Sequence, residues 1–366
     1  MPSLKFCWFD SANQKYFSGK SLMTTDASDM KNLYKLKSQG ACKHLYLLAF
    51  ALLQCLVVMG QALCCETVPL QPLAVPVSSF GAVTVNDSIF VFGGHTAPVH
   101  EWSKMAVTGK FFVMDMRAEQ PEWNPLEAEQ ALQGMNIVAY AGNIYRVGGM
   151  EPRNNPENSA DNYSVATVSR FNLQKQKWEP FKALPEPRSS HDVILHNGVL
   201  YVVGGWDMRG EDEGEYWCDT ISFIDLKAPD PEWQTMEQPF MRRALIAASF
   251  EDCIWVLGGF TDEDEITREV NVFDIEDKSW TLGPQLPEGQ FNGFASAACV
   301  FKNQLIVSVA DGKVLKLSKD CKDWQVIAES GPRIVHRMVP VSDGVVLLGG
   351  ANGGHNLDTV ELIKVP

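Results

Sequence analysis

The sequence predicts an all-β protein built from six tandem units, each a four-stranded antiparallel sheet, packed radially around an axis. Three observations predict this fold. Two apolar runs joined by a short turn and ended by a glycine pair occur five times. One tryptophan follows at a later, comparable position in five units. The 28 glycines, 20 prolines and 10% aromatic residues suit many short strands joined by tight turns.

The glycine pairs set the length of the repeat. They begin at Gly93, Gly148, Gly204, Gly258 and Gly349. The first four pairs begin 54–56 residues apart, whereas the last interval is 91 residues. Residues 294–312 fill this gap with two apolar runs around Asn303, and Ser308 stands near the place of the glycine pair. We therefore count six units of about fifty residues.

Elementary packing rules explain why each feature recurs. Inner strands are apolar on both faces because neighbouring sheets cover both. Asn, Asp and Gly at the hairpins supply positive φ angles. A glycine pair lets two backbones approach where a Cβ would clash, and a tryptophan fills the space between adjacent sheets. The tryptophans at this position are Trp123, Trp178, Trp233, Trp280 and Trp324.

The glycine pair, the aromatic residue near it and the tryptophan 22–30 residues later resemble kelch repeats. The resemblance covers residues 73–366 and implies a six-bladed β-propeller of the kelch type. The last unit ends at Pro366 without a tryptophan strand, and residues 66–75 precede the first unit. We therefore expect residues 66–76 to supply the outer strand of the last blade. The alternative is that they are a linker.

The N-terminus reads as an export signal. Four lysines and no acidic residue lie in residues 31–43, an apolar run follows from Leu45 to Met59, and residues 60–62 present small residues at a cleavage site. We predict an N-terminal extension with a signal peptide over residues 1–62, with Met30 as an alternative start, and an exported propeller over 63–366. The apolar run is shorter than the ~20 residues of a membrane span.

Two alternatives to cleavage and release remain open. In the first alternative, the apolar run is not cleaved and anchors the protein in the membrane. In the second, Cys64 or Cys65 carries a lipid, although Leu63 is not the small residue that a lipidation site prefers. In the main prediction the mature protein has no membrane span, is periplasmic or extracellular, and is a monomer.

Charge and motifs exclude several function classes. The net charge of −14 disfavours nucleic acid and anionic lipid surfaces as partners, because phosphate binding needs clustered Lys and Arg. The sequence has no GxSxG, no HExxH and no phosphate-binding glycine loop. We expect no cofactor and no metal. The acidic runs at 211–215 and 262–265 lack the ligand order of an EF-hand loop, so solvated loops are the preferred interpretation over calcium sites.

A first set of candidate ligand residues lies where the innermost strands begin. It comprises Arg188, His191, Asp192, Arg242, Arg243, Asn292, Arg333, His336 and Arg337. If the units share one register, these side chains converge on one mouth of the central channel. Arginine and histidine there would hold a carboxylate or sulfate by charge-assisted hydrogen bonds. The alternative is that the arginines link blades structurally.

A second set follows the glycine pairs and comprises His95, Trp102, Trp206 and Trp217. Aromatic faces beside short polar residues suit the apolar patches and hydroxyls of sugar rings. The alternative is that these aromatics pack the long loops onto the blades. Together the two sets predict a protein- or glycan-binding module with no catalytic set.

Resemblance to two enzyme groups gives further alternatives. The six units and the export signal resemble the exported kelch N-acetylneuraminate epimerases, which implies a cofactor-independent sugar epimerase or mutarotase. The kelch-containing copper radical oxidases have seven blades and an extra domain, which this chain lacks. The sequence leaves open whether the protein is an enzyme at all.

Overall fold

The computed structural model of the chain describes residues 65–366 apart from Val99 and Asp212. The predicted signal peptide and the alternative start at Met30 lie outside the described residues. The described chain is all-β and forms six four-stranded antiparallel sheets, so the predicted six-bladed propeller is confirmed. No helix within the described residues is both long and apolar enough to cross a membrane.

Each blade is numbered in chain order and its strands run from the axis outwards. Blade 1 contains Gly81–Val85, Ser88–Phe92, Phe111–Asp115 and Asn124–Leu126. Blade 2 contains Asn136–Tyr140, Asn143–Val147, Val168–Asn172 and Lys177–Phe181. Blade 3 contains Asp192–His196, Val199–Val203, Thr220–Asp225 and Trp233–Glu237.

The second half of the ring repeats this order. Blade 4 contains Ile246–Phe250, Cys253–Thr261, Ile266–Asp274 and Ser279–Leu282, with Arg242–Arg243 added on the second strand. Blade 5 contains Ala297–Phe301, Gln304–Ser308, Lys313–Leu317 and Trp324–Glu329. Blade 6 contains Arg337–Val341, Gly344–Leu348, Val360–Ile363 and Thr67–Pro69.

Three small hairpins extend beyond the blades on one end of the propeller. They pair Met150–Pro152 with Asn162–Ser164, Trp206–Met208 with Glu215–Trp217, and Ala351–Asn352 with His355–Asn356. We call this end, which carries the loops after the glycine pairs, the loop face. The opposite end, where tight hairpins join the first two strands of each blade, is the hairpin face.

The ring closes between the two ends of the described chain. The innermost strands contact one another in cyclic order, and the strand of blade 6 contacts that of blade 1. Thr67–Pro69 pairs antiparallel with Val360–Ile363, with Val68 opposite Leu362. The Leu73 amide continues the contact by donating to the Asp358 carbonyl at 2.8 Å. The outer strand of the last blade is therefore the first strand of the described residues.

The core consists of six apolar clusters, one in each gap between neighbouring blades. Between blades 1 and 2, Phe92 and Phe171 are almost fully buried and pack with Trp178. The Trp178 indole also donates to the Glu127 carbonyl of the preceding blade at 2.8 Å. Trp123, Trp233 and Trp324 make equivalent bonds to the carbonyls of Gln71, Lys182 and Pro284. The tryptophans link neighbouring blades, as predicted.

The glycine pairs are required where the chain passes close to the next blade. A Cβ on Gly258, which has φ of +60°, would lie 2.2 Å from the Gly293 carbonyl oxygen. Blade 5 lacks the pair because its second and third strands are joined directly. The Val309 amide donates to Lys313, and Gly312 takes the positive φ of this short turn. This connection explains the irregular fifth unit.

Candidate functional site

A closed ring of backbone hydrogen bonds surrounds the axis at the loop face. One residue from each blade adopts a left-handed conformation just before the innermost strand, with φ between 43° and 62°. Each of these six amides donates to the carbonyl of the equivalent residue in the preceding blade at 2.6–3.0 Å. We call this the axial ring. Its members are Ser79, Gly134, Ser190, Ala244, Ala295 and Val335.

The residue after each ring member is wedged between two blades. The His191 Nε2 lies 3.1 Å from the Val147 carbonyl, which fixes it as the donor. Burial and the nearby Arg188 lower the pKa of His191 to about 3, so the ring is neutral. The His336 Nε2 pairs with Ser308 Oγ at 3.0 Å, and burial lowers its pKa well below the usual value. Both histidines therefore make contacts between blades, and their role in ligand binding stays a prediction.

One position further on, three polar side chains meet at the axis. Arg337 donates to Asp192 Oδ1 at 3.1 Å, to the Phe80 carbonyl at 2.7 Å and to the Met135 carbonyl at 2.9 Å. Asp192 also accepts from Asn136 Nδ2 and from a backbone amide of blade 4, both at 2.8 Å. This axial network of Asn136, Asp192 and Arg337 joins five of the six blades.

The axial network divides the channel into two compartments, since Arg337 lines both. The ring-side compartment has a volume of about 60 Å³ and is bounded by the axial ring, His191 and His336. The hairpin-side compartment has a volume of about 270 Å³ and is lined by the innermost strands of all six blades. The channel mouth at the loop face is therefore too shallow to enclose a large ligand.

Three of the predicted arginines are buried within their own blades. Arg188, Arg242 and Arg333 each donate to the carbonyl of the first glycine of the pair at 3.4 Å. Each also pairs with a glutamate, which is Glu186, Glu269 or Glu361. Their side chains are at most 5% exposed. The three arginines thus make structural contacts within one blade, whereas the structural alternative expected contacts between blades.

The fourth predicted arginine lies among aromatic rings. The Arg243 guanidinium carbon stands 4.2 Å from the ring centre of Trp206, 4.6 Å from Phe260 and 5.8 Å from Trp217. The two indole rings are 5.5 Å apart. Burial lowers the pKa of Arg243 to about 10, so it stays charged at neutral pH. We call these four residues the aromatic–arginine cluster.

Similar pairs continue along the loop face. Arg209 lies 3.9 Å from the ring centre of Tyr216, and Arg153 lies 3.8 Å from that of Tyr163. In blade 1, His95 is buried, its Nε2 donates a 3.0 Å hydrogen bond to the Glu101 carbonyl, and its ring centre lies 5.3 Å from that of Trp102. Burial lowers the pKa of His95.

The structure thus separates the predicted residues into two groups. Trp206, Trp217 and Arg243 come together, and His95 pairs with Trp102 in the first loop. Arg188, Arg242, Arg333, His191 and His336 support the blades and the axis. Within the described residues, no group of three His, Cys, Asp or Glu side chains is placed to hold a metal ion.

Sequence reasoning placed Asp192 and Arg337 at the channel mouth but missed their ion pair. It also missed Asn136 and Arg146, the blade 2 counterpart of the three buried arginines. Arg146 pairs with Glu129 at 2.9 Å and donates to the Gly148 carbonyl at 3.2 Å. The sequence did contain a signal for the structural role of these arginines, which is their regular spacing from the glycine pairs. Arg188, Arg242 and Arg333 each stand 16 residues before the glycine they bind. Regular spacing of this kind indicates a property of the repeat.

Comparison with known proteins agrees with this geometry. The family model of the KLHDC2/KLHL20/DRC7 Kelch-repeats domain matches residues 134–350, more than half of the chain. The chain belongs to the kelch-repeat family. A solved kelch-type neighbour, titled "Structure of YjhT", has a TM-score of 0.65 and 16% identity, and the match covers 81% of this chain and 97% of that one. At this identity the likeness concerns the fold.

Curated kelch relatives are much longer proteins. Alpha-scruin of Limulus polyphemus is 27% identical over 48% of this chain and 18% of its own length. Kelch-like protein 40 of Mus musculus is 28% identical over 58% of this chain and 32% of its own length. The matched region therefore spans less than a third of these relatives.

Proposed function

We propose that this kelch propeller is a protein-binding module whose partner docks on the loop face. The observation that carries the proposal is that the loop face exposes large apolar side chains to solvent. Three large hydrophobic side chains of this face are exposed, Met105 by 77%, Tyr216 by 51% and Met241 by 38%. Methionine, tyrosine and arginine are enriched in protein interfaces. Arg209 and Arg153, stacked on tyrosines, add to this surface.

The size of the channel mouth also favours a partner that stays on the surface. Sites for small ligands usually measure about 300–1,000 Å³. The ring-side compartment is only about 60 Å³. A folded protein or a peptide that covers the exposed side chains needs no deeper cavity.

The aromatic–arginine cluster favours a protein partner over a glycan. Sugar recognition needs an open aromatic face on which a ring can stack. Arg243 already lies against Trp206 and Phe260, and Arg209 lies against one face of Tyr216. A glycan array that gave binding lost on Tyr216→Ala would instead favour the glycan alternative.

Site-specific photo-crosslinking tests the proposal. A crosslinking amino acid at Tyr216 or Met241 should capture the same partner, identified by mass spectrometry. The matched control is the same amino acid at Leu282, which is 69% exposed on the outer strand of blade 4. Capture from Leu282 but not from Tyr216 or Met241 would contradict the proposal. Mutarotation of N-acetylneuraminate above the buffer rate, followed by NMR, would favour the epimerase alternative.

We also propose that the protein acts outside the cytoplasm. Support comes from the lysines, apolar run and small residues of positions 31–62. N-terminal sequencing of the exported protein should begin at Leu63, and Ala62→Arg should block processing. A mature protein that retained residues 31–62 would favour the anchored alternative, and attached lipid at Cys64 or Cys65 the lipoprotein alternative.

A further inference from the structure

Exposed carboxylates surround the apolar side chains of the proposed docking surface on blades 3 and 4. Among the described residues, the segments that follow the glycine pairs of these two blades carry seven exposed acids. They are Glu211, Glu213, Glu215, Asp262, Glu263, Asp264 and Glu265. None of the seven forms an ion pair with a described residue. We call these seven residues the acidic rim.

The acidic rim approaches the aromatic–arginine cluster from both blades. Burial lowers the pKa of Arg243, whereas Glu215 of blade 3 and Asp264 of blade 4 act in the opposite direction. Both carboxylates are therefore near enough to Arg243 for their charges to act on it. The two acidic segments thus flank one continuous surface.

The same segments adjoin the exposed apolar side chains. The Asp262 amide donates to the Met241 carbonyl at 3.3 Å. Glu215 directly precedes Tyr216 in the short strand Glu215–Trp217. Met241 and Tyr216 are exposed by 38% and 51%, so apolar side chains lie beside a charged border. Protein interfaces have this arrangement, with an apolar centre and a polar periphery.

Nearby cations do not offset the acidic rim. Arg209 already pairs with an aspartate of its own hairpin at 2.8 Å. Arg243 supplies one positive charge against seven negative ones. Residues 183–277 contain a single lysine, Lys227, and it lies beside Gly198 at the hairpin face. The loop face of blades 3 and 4 therefore carries a net negative charge.

This charge selects among partners for the apolar centre. An acidic partner would bring like charges together at the rim, which opposes association. A neutral partner would displace water from the carboxylates without replacing its hydrogen bonds. Lysine and arginine side chains both attract the rim from a distance and replace that water on contact.

We propose that the partner of the loop face presents a basic segment, in which an apolar residue packs on Tyr216 and Met241 and flanking Lys or Arg side chains pair with the acidic rim. This inference rests on the proposed docking function and adds the chemistry of the partner. Each exposed pair contributes little affinity, so the rim acts mainly on the rate of association and on the choice of partner.

Selection of random peptides on the full chain tests the proposal with a defined probe. The library is displayed and selected at about 0.15 M salt, where charges still act over about 8 Å. The peptides recovered should be enriched in Lys and Arg beside an apolar residue, and should bind weakly to the double variant Tyr216→Ser, Met241→Ser. Their association rate should fall by about tenfold or more between low and high salt.

Charge reversal of the rim provides the second measurement. Glu213→Lys with Glu263→Lys should weaken binding of the recovered peptides by about tenfold or more, because two attractive charges become repulsive. The matched control is Glu276→Lys with Asp277→Lys, which changes the net charge equally in an exposed turn at the hairpin face of blade 4. It should change binding less than about twofold, since charges beyond a Debye length are screened. Unchanged melting curves show that both variants are folded.

Two kinds of result would overturn the inference, and they are distinguishable. Peptides that need Tyr216 and Met241 but show no enrichment in Lys or Arg would overturn the basic partner and leave the docking function standing. Equal losses in the rim variant and its control would do the same. Peptides that bind the Tyr216→Ser, Met241→Ser variant as tightly as the wild type would contradict the docking function itself.

Discussion

Arg337 and Asp192 form an ion pair across the propeller axis, although they belong to blades 6 and 3. The Nη1–Oδ1 distance is 3.1 Å, and the side chains are 13% and 1% exposed. Burial lowers the pKa of Arg337, while its contact with Asp192 acts in the opposite direction. The pair therefore links blade 6 to blade 3, which lies on the opposite side of the axis.

The first prediction concerns this pair. Arg337→Met leaves the Asp192 carboxylate buried without its cation, so the free energy of unfolding should fall by about 3–5 kcal/mol. Urea denaturation measures the loss. Adding Asp192→Leu to Arg337→Met should recover part of it, because both charges are then absent. Arg117→Met, which breaks the exposed pair with Asp115, should cause no measurable change. Equal losses in the buried and exposed pairs would refute this prediction.

The second prediction concerns the glycine pair of blade 4. Gly258→Ala places a Cβ against the Gly293 backbone, so it should cost more than about 3 kcal/mol of unfolding free energy. Gly142 is the matched control, since its φ is +77° but no atom lies within 4 Å of an added Cβ. Gly142→Ala should cost about 1 kcal/mol. Similar costs at both positions would show that close approach does not matter.

The third prediction is a pH dependence caused by His191. Its pKa is about 3 in the folded protein, against 6.5 for the free side chain. The unfolded chain therefore binds a proton below about pH 6.5 that the folded chain does not. The contribution of the neutral His191 to the free energy of unfolding is fully present above this pH. It is lost as the pH falls towards 3, by at most about 1.4 kcal/mol per pH unit.

His191→Leu tests this contribution, since Leu245 occupies the equivalent position in blade 4. The slope of unfolding free energy against pH between 6.5 and 4 should be shallower than in the wild type. His355→Leu, a change at an exposed histidine, should keep the wild-type slope. If His191→Leu also keeps that slope, His191 is not the source of the pH dependence.

The fourth prediction concerns the strand that closes the ring. Deleting residues 66–76 removes the partner of Val360–Ile363 and uncovers the apolar cluster around Leu73. The melting temperature should fall by at least about 5 °C, since 1 kcal/mol corresponds to roughly 2–4 °C in chains of this size. Deleting Gly353 and Gly354 from a hairpin tip should have little effect. An unchanged melting curve after the first deletion would show that the closing strand adds no stability.

The repeating features could be predicted from sequence because each has one physical cause in every unit. Glycine pairs, hairpin turns and tryptophans recur because each blade meets its neighbours in the same way. Even the fifth unit was recognisable, since its two apolar runs flank Asn303 as in the other hairpins.

Features that are not repeated could not be predicted in this way. The axial network uses Asn136, Asp192 and Arg337, but the equivalent positions of blades 1, 4 and 5 hold Gly81, Ile246 and Ala297. No periodic signal marks such a contact, which depends on opposite blades meeting at the axis. The axial ring is equally hidden, because backbone atoms make its bonds and a residue as ill-suited to positive φ as Val335 takes part.

The axial ring has a consequence for how the protein loses its structure. Every member both donates and accepts one hydrogen bond, and the Ser79 amide donates to the Val335 carbonyl of the last blade. Linear repeat arrays have terminal repeats that can fray one at a time. A closed cycle has no terminal repeat, so detaching any blade breaks two links at once. Calorimetry should therefore record a single cooperative melting event.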